Sequence, residues 1–287
     1  VAADLTRSGQ FEALPRDAMY SSPSKVNEVH YRDWRALGVD YLLIGHSQAT
    51  NKSVTVEYEL FDVHRQKSLI KSRVGNLQGL ERAVAHKISD SVYQRLTGIA
   101  GAFSTRMLYV SVTTAPANNQ STPKQVYQLI LADADGARAR EILKGSEPIL
   151  SPSWSPDGKQ IAYVSFESSR PAIYRQVIAT GEREKLTNFR GLNSAPSWSP
   201  DGKRLAMVLS KDGNPELYVM EVATRKLQRI TKNSAIDTEP SWMPDGKSLI
   251  FTSDRGGRPQ IYRVDLNSGA TKRITYTGAY NAKASLM

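Results

Sequence analysis

Three aspartates, Asp157, Asp201 and Asp245, stand 44 residues apart. Carboxylates repeated at fixed spacing are one way to present oxygen ligands to a hard cation. Their neighbours favour another role. Each lies in a Pro-Asp-Gly step, where Pro sets φ for a type I turn, Gly leaves the turn and Asp bonds its own backbone, so a turn is expected rather than a metal site. The four histidines, His30, His46, His64 and His86, all fall in the first hundred residues, which leaves the repeats no imidazole for a metal cluster or a general base. His64 at a turn and His86 on a helix are expected to be structural. With no cysteine in the chain, disulfides, thiolate ligands and a cysteine nucleophile are excluded. Nor is there a Gly-x-Ser-x-Gly elbow, a phosphate-binding glycine loop or a His-Glu-x-x-His helix. No catalytic residue, cofactor or metal is expected, and the chain reads as no enzyme.

The aspartates recur because the chain does. Pro152-Ser-Trp-Ser-Pro-Asp-Gly158, Pro196-Ser-Trp-Ser-Pro-Asp-Gly202 and Pro240-Ser-Trp-Met-Pro-Asp-Gly246 hold one register, and Tyr174, Tyr218 and Tyr262 keep it further along. Short β-prone runs follow each turn, such as 160–165, 172–178 and 184–187. A period of this length with about four strands per copy is that of a β-propeller blade, and the apolar spacing of a helical solenoid is missing. Trp154, Trp198 and Trp242 are expected to pack against the next blade. A weaker copy precedes, from Arg106–Ser111 through Tyr127–Gly136 to 141–143, with a polar insertion at 113–123 expected as an exposed hairpin loop. Another begins at Tyr276, with Leu286 one period after Trp242. About four blades in an open stack lead to the expectation of a truncated propeller.

The first hundred residues read as a separate α/β domain. Expected there are a helix tail at 2–8, a strand at 11–14, a short helix ending at Gly38 and an apolar strand at 40–45. A hairpin over 53–62 and 68–74 and an amphipathic helix from Leu80 to Gly98 complete it. The expected division is thus 1–100 for the α/β domain and 103–287 for the blades.

Net charge is +10, with 13 Lys and Arg against 11 Asp and Glu in residues 1–100 and 25 against 17 in the rest. The excess is spread through every repeat rather than clustered with aromatics, which argues against nucleic acid and for a solvated or partner-facing surface. No stretch is apolar for long enough to insert in a membrane. Recognition is expected on the segments just before each Trp, 145–151, 190–195 and 235–239, with 277–281 matching them, because these vary while the strands do not.

The tandem Ser-Trp-Ser-Pro-Asp-Gly repeats, Phe166-Glu-Ser-Ser-Arg170, Leu217-Tyr-Val-Met220, Phe251-Thr-Ser-Asp254 and Leu96-Thr-Gly-Ile-Ala-Gly-Ala-Phe103 behind an α/β domain resemble the TolB family over essentially the whole chain. The resemblance implies a six-bladed propeller and a periplasmic, non-enzymatic component of the Tol-Pal system of Gram-negative bacteria, supporting outer-membrane integrity and constriction during division. It implies that the propeller face binds the lipoprotein Pal, that colicins exploit the same surface, and that TolA binds an N-terminal segment not found in this sequence. Carried over by position, the Pal contacts fall on Ser151, on Leu192, Asn193, Ser194 and Ala195, and on Asp237, Thr238 and Glu239, with Leu192 standing where the family has a polar residue. The competing expectation, a propeller serving a periplasmic hydrolase or lyase, needs a histidine cluster or nucleophile elbow that these residues do not supply.

Overall fold

The computed structural model describes residues 1–115 and 124–285; the tip of the polar insertion and Leu286 lie outside them. The chain divides into two compact units, Val1–Met107 with Ala132–Arg138, and Leu108–Leu131 with Ala139–Met287.

In the first unit, helix α1 (Ala2–Arg7) is followed by two single 3-10 turns, helix α2 (Tyr31–Ala36), strands β1 (Tyr41–Ala49), β2 (Ser53–Asp62) and β3 (Lys67–Leu77), and helix α3 (Glu81–Thr97). The strands form one antiparallel sheet in the order β1-β2-β3. Strand alternation sends Val54, Tyr58 and Leu60 of β2 to one side, where they bury with Val84, Ile88 and Val92 of α3. Phe61 turns the other way, to a cluster with Leu42, Ile44 and Trp34. Gly98 ends α3 at φ +76°, a left-handed conformation that suits a residue without a Cβ. The strand expected at 11–14 does not form. Its apolar side chains pack individually instead, Phe11 edge-on to Tyr93 with ring centroids 6.0 Å apart and Leu14 against the Trp34 cluster.

The second unit is a run of antiparallel meanders. A three-stranded sheet of β4 (Arg106–Ala115), β5 (Lys124–Asp133) and β6 (Arg140–Gly145) leads into three four-stranded sheets. These are β7 (Ile149–Trp154), β8 (Gln160–Ser165), β9 (Ala172–Val177) and β10 (Arg183–Lys185); β11 (Asn193–Trp198), β12 (Arg204–Leu209), β13 (Glu216–Glu221) and β14 (Leu227–Arg229); and β15 (Asp237–Trp242), β16 (Ser248–Ser253), β17 (Gln260–Asp265) and β18 (Thr271–Arg273). The order of sheets is that of propeller blades. Strand β12 shows why its sequence, Leu-Ala-Met-Val-Leu over 205–209, is apolar throughout rather than alternating. Leu205, Met207 and Leu209 bury toward the preceding sheet, with Ala162, Val164 and Ile173, while Ala206 and Val208 bury toward the following one, with Trp242, Leu249 and Phe251.

The tryptophans pack against the preceding sheet, not the next blade as expected, because each closes the first strand of its own blade: Trp198 lies with Ala162, Val164 and Ile173, and Trp242 with Ala206 and Val208. The Trp242 indole Nε1 donates to the Ser197 carbonyl of the preceding sheet at 2.9 Å, and the Arg204 guanidinium lies 4.6 Å over its ring. The first strand of each blade is the one that meets its neighbours: β11 packs on β7, β8 and β9, and β15 on β11, β12 and β13. Recognition segments expected as loops therefore run into strands, since β7, β11 and β15 begin at Ile149, Asn193 and Asp237. The Pro inside each one conceals the strand from a reading of the sequence.

Candidate functional site

Each of these first strands is broken by a bulge. Pairing slips between Leu150 and Ser153, between Ser194 and Ser197, and between Thr238 and Ser241. The bulged residues Ser151, Ala195 and Glu239, one period apart, adopt φ of +49°, +48° and +54°, and Lys283 repeats this at +51°. Left-handed backbone costs a side-chain-bearing residue of order 1 kcal/mol or more, and a following Pro, present at 152, 196 and 240, restricts it further. Strain kept in four successive copies marks a built feature. The bulge interrupts the ladder near the start of each strand.

What sits there divides into supports and surface. Asn193 and Asp237 are fully buried. Asn193 Nδ2 donates to the Phe189 and Gly191 carbonyls at 2.8 and 3.1 Å, and its Oδ1 accepts the Phe189 amide, clipping the preceding turn. Asp237 accepts both of its bonds from Arg255 Nη2, at 2.9 and 2.7 Å, and the same guanidinium lies 5.1 and 5.0 Å over the rings of Phe251 and Tyr262. Asn281 fills the equivalent place, bonded to Gln260 and the Thr277 carbonyl.

The surface is formed by the other positions. Ser151 is exposed, and Ser194, Ala195, Thr238 and Glu239 are half-buried. Glu239 Oε2 accepts the Thr252 hydroxyl at 2.8 Å, and the same hydroxyl oxygen accepts the Lys283 amide at 3.0 Å, tying the bulge at Glu239 to the left-handed residue of the next copy. Immediately before the buried clip stand Leu192, Ile236 and Tyr280, 36, 51 and 70% exposed. The Leu192 amide is held by Ser210 and that of Ile236 by Asp254, the equivalent residue one period on. Leu150 adds a further exposed apolar side chain. Ile236, Tyr280 and Leu150 lie in the expected recognition segments but were not singled out as contacts, although the 44-residue register from Leu192 points to the first two.

The recurrent aspartates are turn residues. Asp157 Oδ1 accepts the Ser155 hydroxyl and the Lys159 amide, Asp201 repeats this with Ser199 and Lys203, and Asp245 accepts the Lys247 amide. The Ser155 and Ser199 hydroxyls, first among the causes, hold the Asp157 and Asp201 carboxyls below their ordinary values. Of the histidines, His64 pairs with Asp40 and His46 lies near Glu57. Asp4, His86 and Asp135 bring ligand-type atoms within 4.8 Å of one another. The two carboxylates face different ring nitrogens, Asp4 at 2.8 Å from Nδ1 and Asp135 at 3.8 Å from Nε2, so one ion bound to one nitrogen would not face both.

Residues 93–287 match the family model described as the TolB beta propeller domain, and residues 1–69 the TolB amino-terminal domain. The chain belongs to the TolB family. Among its curated TolB relatives, one from Hahella chejuensis is 51% identical over 194 residues, 67% of this chain, and one from Pseudomonas aeruginosa 50% over 195 residues, 68% of it. Both are named Tol-Pal system protein TolB, and each alignment covers 44% of the relative's length. The crystal structure of TolB from Acinetobacter baumannii superposes with a TM-score of 0.87 at 44% identity, covering 98% of this chain and 68% of that one. The strained bulges and exposed apolar residues therefore sit on a TolB-type propeller. No helix among the described residues is long and apolar enough to cross a membrane.

Proposed function

We propose that this chain is a periplasmic, non-enzymatic component of the Tol-Pal system, whose blades bind the lipoprotein Pal through the bulged starts of their first strands and so support outer-membrane integrity and constriction at division. The observation that carries the reading is the recurrence, at one register in successive blades, of a strained bulge beside an exposed apolar side chain. A protein partner needs such a surface: apolar anchors with a polar surround, on a scaffold too rigid to lose much entropy on binding. Ser151, Leu192, Ser194, Ala195, Thr238 and Glu239 would touch the partner. Asn193 and Asp237, buried, would act by holding the turns that present the apolar residues. Colicins reaching the same surface, and TolA through an N-terminal segment, follow from the family and belong to the same proposal.

Calorimetry with the soluble domain of Pal tests it. The chain is expected to bind at micromolar Kd or tighter, and Ala195→Trp and Glu239→Lys are each expected to weaken binding by tenfold or more, about 1.4 kcal/mol per tenfold. A folded chain that does not bind, or variants that bind as well as the parent, would reject the assignment.

A further inference from the structure

His86 is 5% exposed on α3, and its Nε2 has no hydrogen-bond partner. The tautomer is assigned from the partners of its other nitrogen. Nδ1 lies 2.8 Å from Asp4 Oδ2, an oxygen that also accepts the Ser89 hydroxyl at 2.7 Å. Burial works against charge on Asp4, yet the Ser89 hydroxyl and the His86 ring hold its carboxyl below the ordinary value. Asp4 is thus an anion, which requires a proton on Nδ1. On the opposite side Nε2 points toward Asp135 Oδ2 at 3.8 Å, a carboxyl also held low, first by the Ala137 amide. A neutral ring would leave a buried lone pair facing an anion. A second proton would turn that repulsion into a charge-assisted bond after an approach of about 1 Å.

We propose that His86 is a proton-operated latch, which with two protons binds Asp4 of α1 on one side and Asp135 of the Ala132–Arg138 turn on the other, and which lets go of Asp135 when Nε2 is neutral. Charged groups reach the two carboxylates from α1, from α3 and from the turn itself. On α1 and the amino terminus these are Asp4, Arg7 and the Val1 amino group, which acts on Asp4. Arg82 on α3 pairs with Asp135, and on the turn Asp133 is bonded by Arg138. Asp135 is also approached by Arg7 at 3.9 Å. The arginines steady the carboxylates but do not reach Nε2, so the proton is the species that can join the ring to Asp135. The closed latch binds one more proton than the open one. Closure is therefore complete at the acid end and is lost as pH rises.

Imidazole nitrogen NMR on the whole chain reads ring charge directly. Across a titration from acid to alkaline pH, His86 is expected to pass from two protonated nitrogens to the Nδ1–H form. Over the same span, exchange protection of the turn amides of Asp133, Ala134 and Gly136, corrected for intrinsic rate, is expected to fall by up to about tenfold per pH unit, the limit for one linked proton. Asp135→Asn is expected to move both transitions to lower pH. A ring that stays neutral over the whole span, protection that does not follow the ring's charge, or an Asp135→Asn transition left in place would overturn the latch. Should that variant not fold, the parent titration decides alone.

Discussion

Arg255 carries more than its position near the surface implies. Among the described residues it donates both hydrogen bonds to the buried Asp237 carboxylate, and it stacks over Phe251 and Tyr262 as well. Replacing it with Ala strands a buried charge, a loss of about 3–5 kcal/mol. Asp237→Asn keeps an acceptor and removes the charge, so it is expected to cost less; urea unfolding of both variants reads the difference, and equal losses would show that Arg255 matters through packing alone. The place of Asp237 explains why the site was only partly legible. The sequence singles out the polar, variable residues before each Trp, but nothing in Asn193 or Asp237 taken alone tells a clip from a contact. That distinction depends on where the preceding turn brings its carbonyls, or on an arginine 18 residues later. Leu192, read as a departure from the family's polar residue, gains meaning from Ile236 and Tyr280 in the same register.

At the scale of elements, each blade's first strand joins two sheets, and its terminal Trp is the joint. Trp242 loses on truncation a buried ring, the bond to Ser197 and the stacking of Arg204. Trp242→Ala is expected to cost about 3–5 kcal/mol. Trp154, only half-buried between the three-stranded sheet and the next, is expected to cost less. Thermal unfolding of the two variants checks the order, and the reverse order would mean that the joints are not set by burial. The turns and the later strands of each blade were legible because Ser-Pro-Asp-Gly and the apolar runs are local signals. The first strands were not, since a left-handed residue followed by Pro reads as a loop and only pairing with β8, β12 or β16 makes it a strand. The 11–14 segment failed in the opposite sense: its apolar residues suggested a strand, but they pack as separate anchors.

For the whole molecule, the question is whether the repeated surface acts as one. A single loop can bind a peptide, but Leu192, Ile236 and Tyr280 lie on successive copies, so a partner that covers them must be a folded surface broad enough to span blades. This makes a quantitative demand. If the apolar residues are anchors of one interface, Leu192→Asp, Ile236→Asp and Tyr280→Asp are each expected to weaken Pal binding, with at least one losing about 2 kcal/mol or more, and mainly through faster dissociation. The net positive charge of residues 101–287, 25 against 17, would add a separate, salt-sensitive term to the association rate. Surface plasmon resonance at low and high salt separates the two. Loss confined to one of the three variants would reduce the interface to a single loop, whereas loss in all three, with unchanged association rates, would establish that successive copies present one composite face.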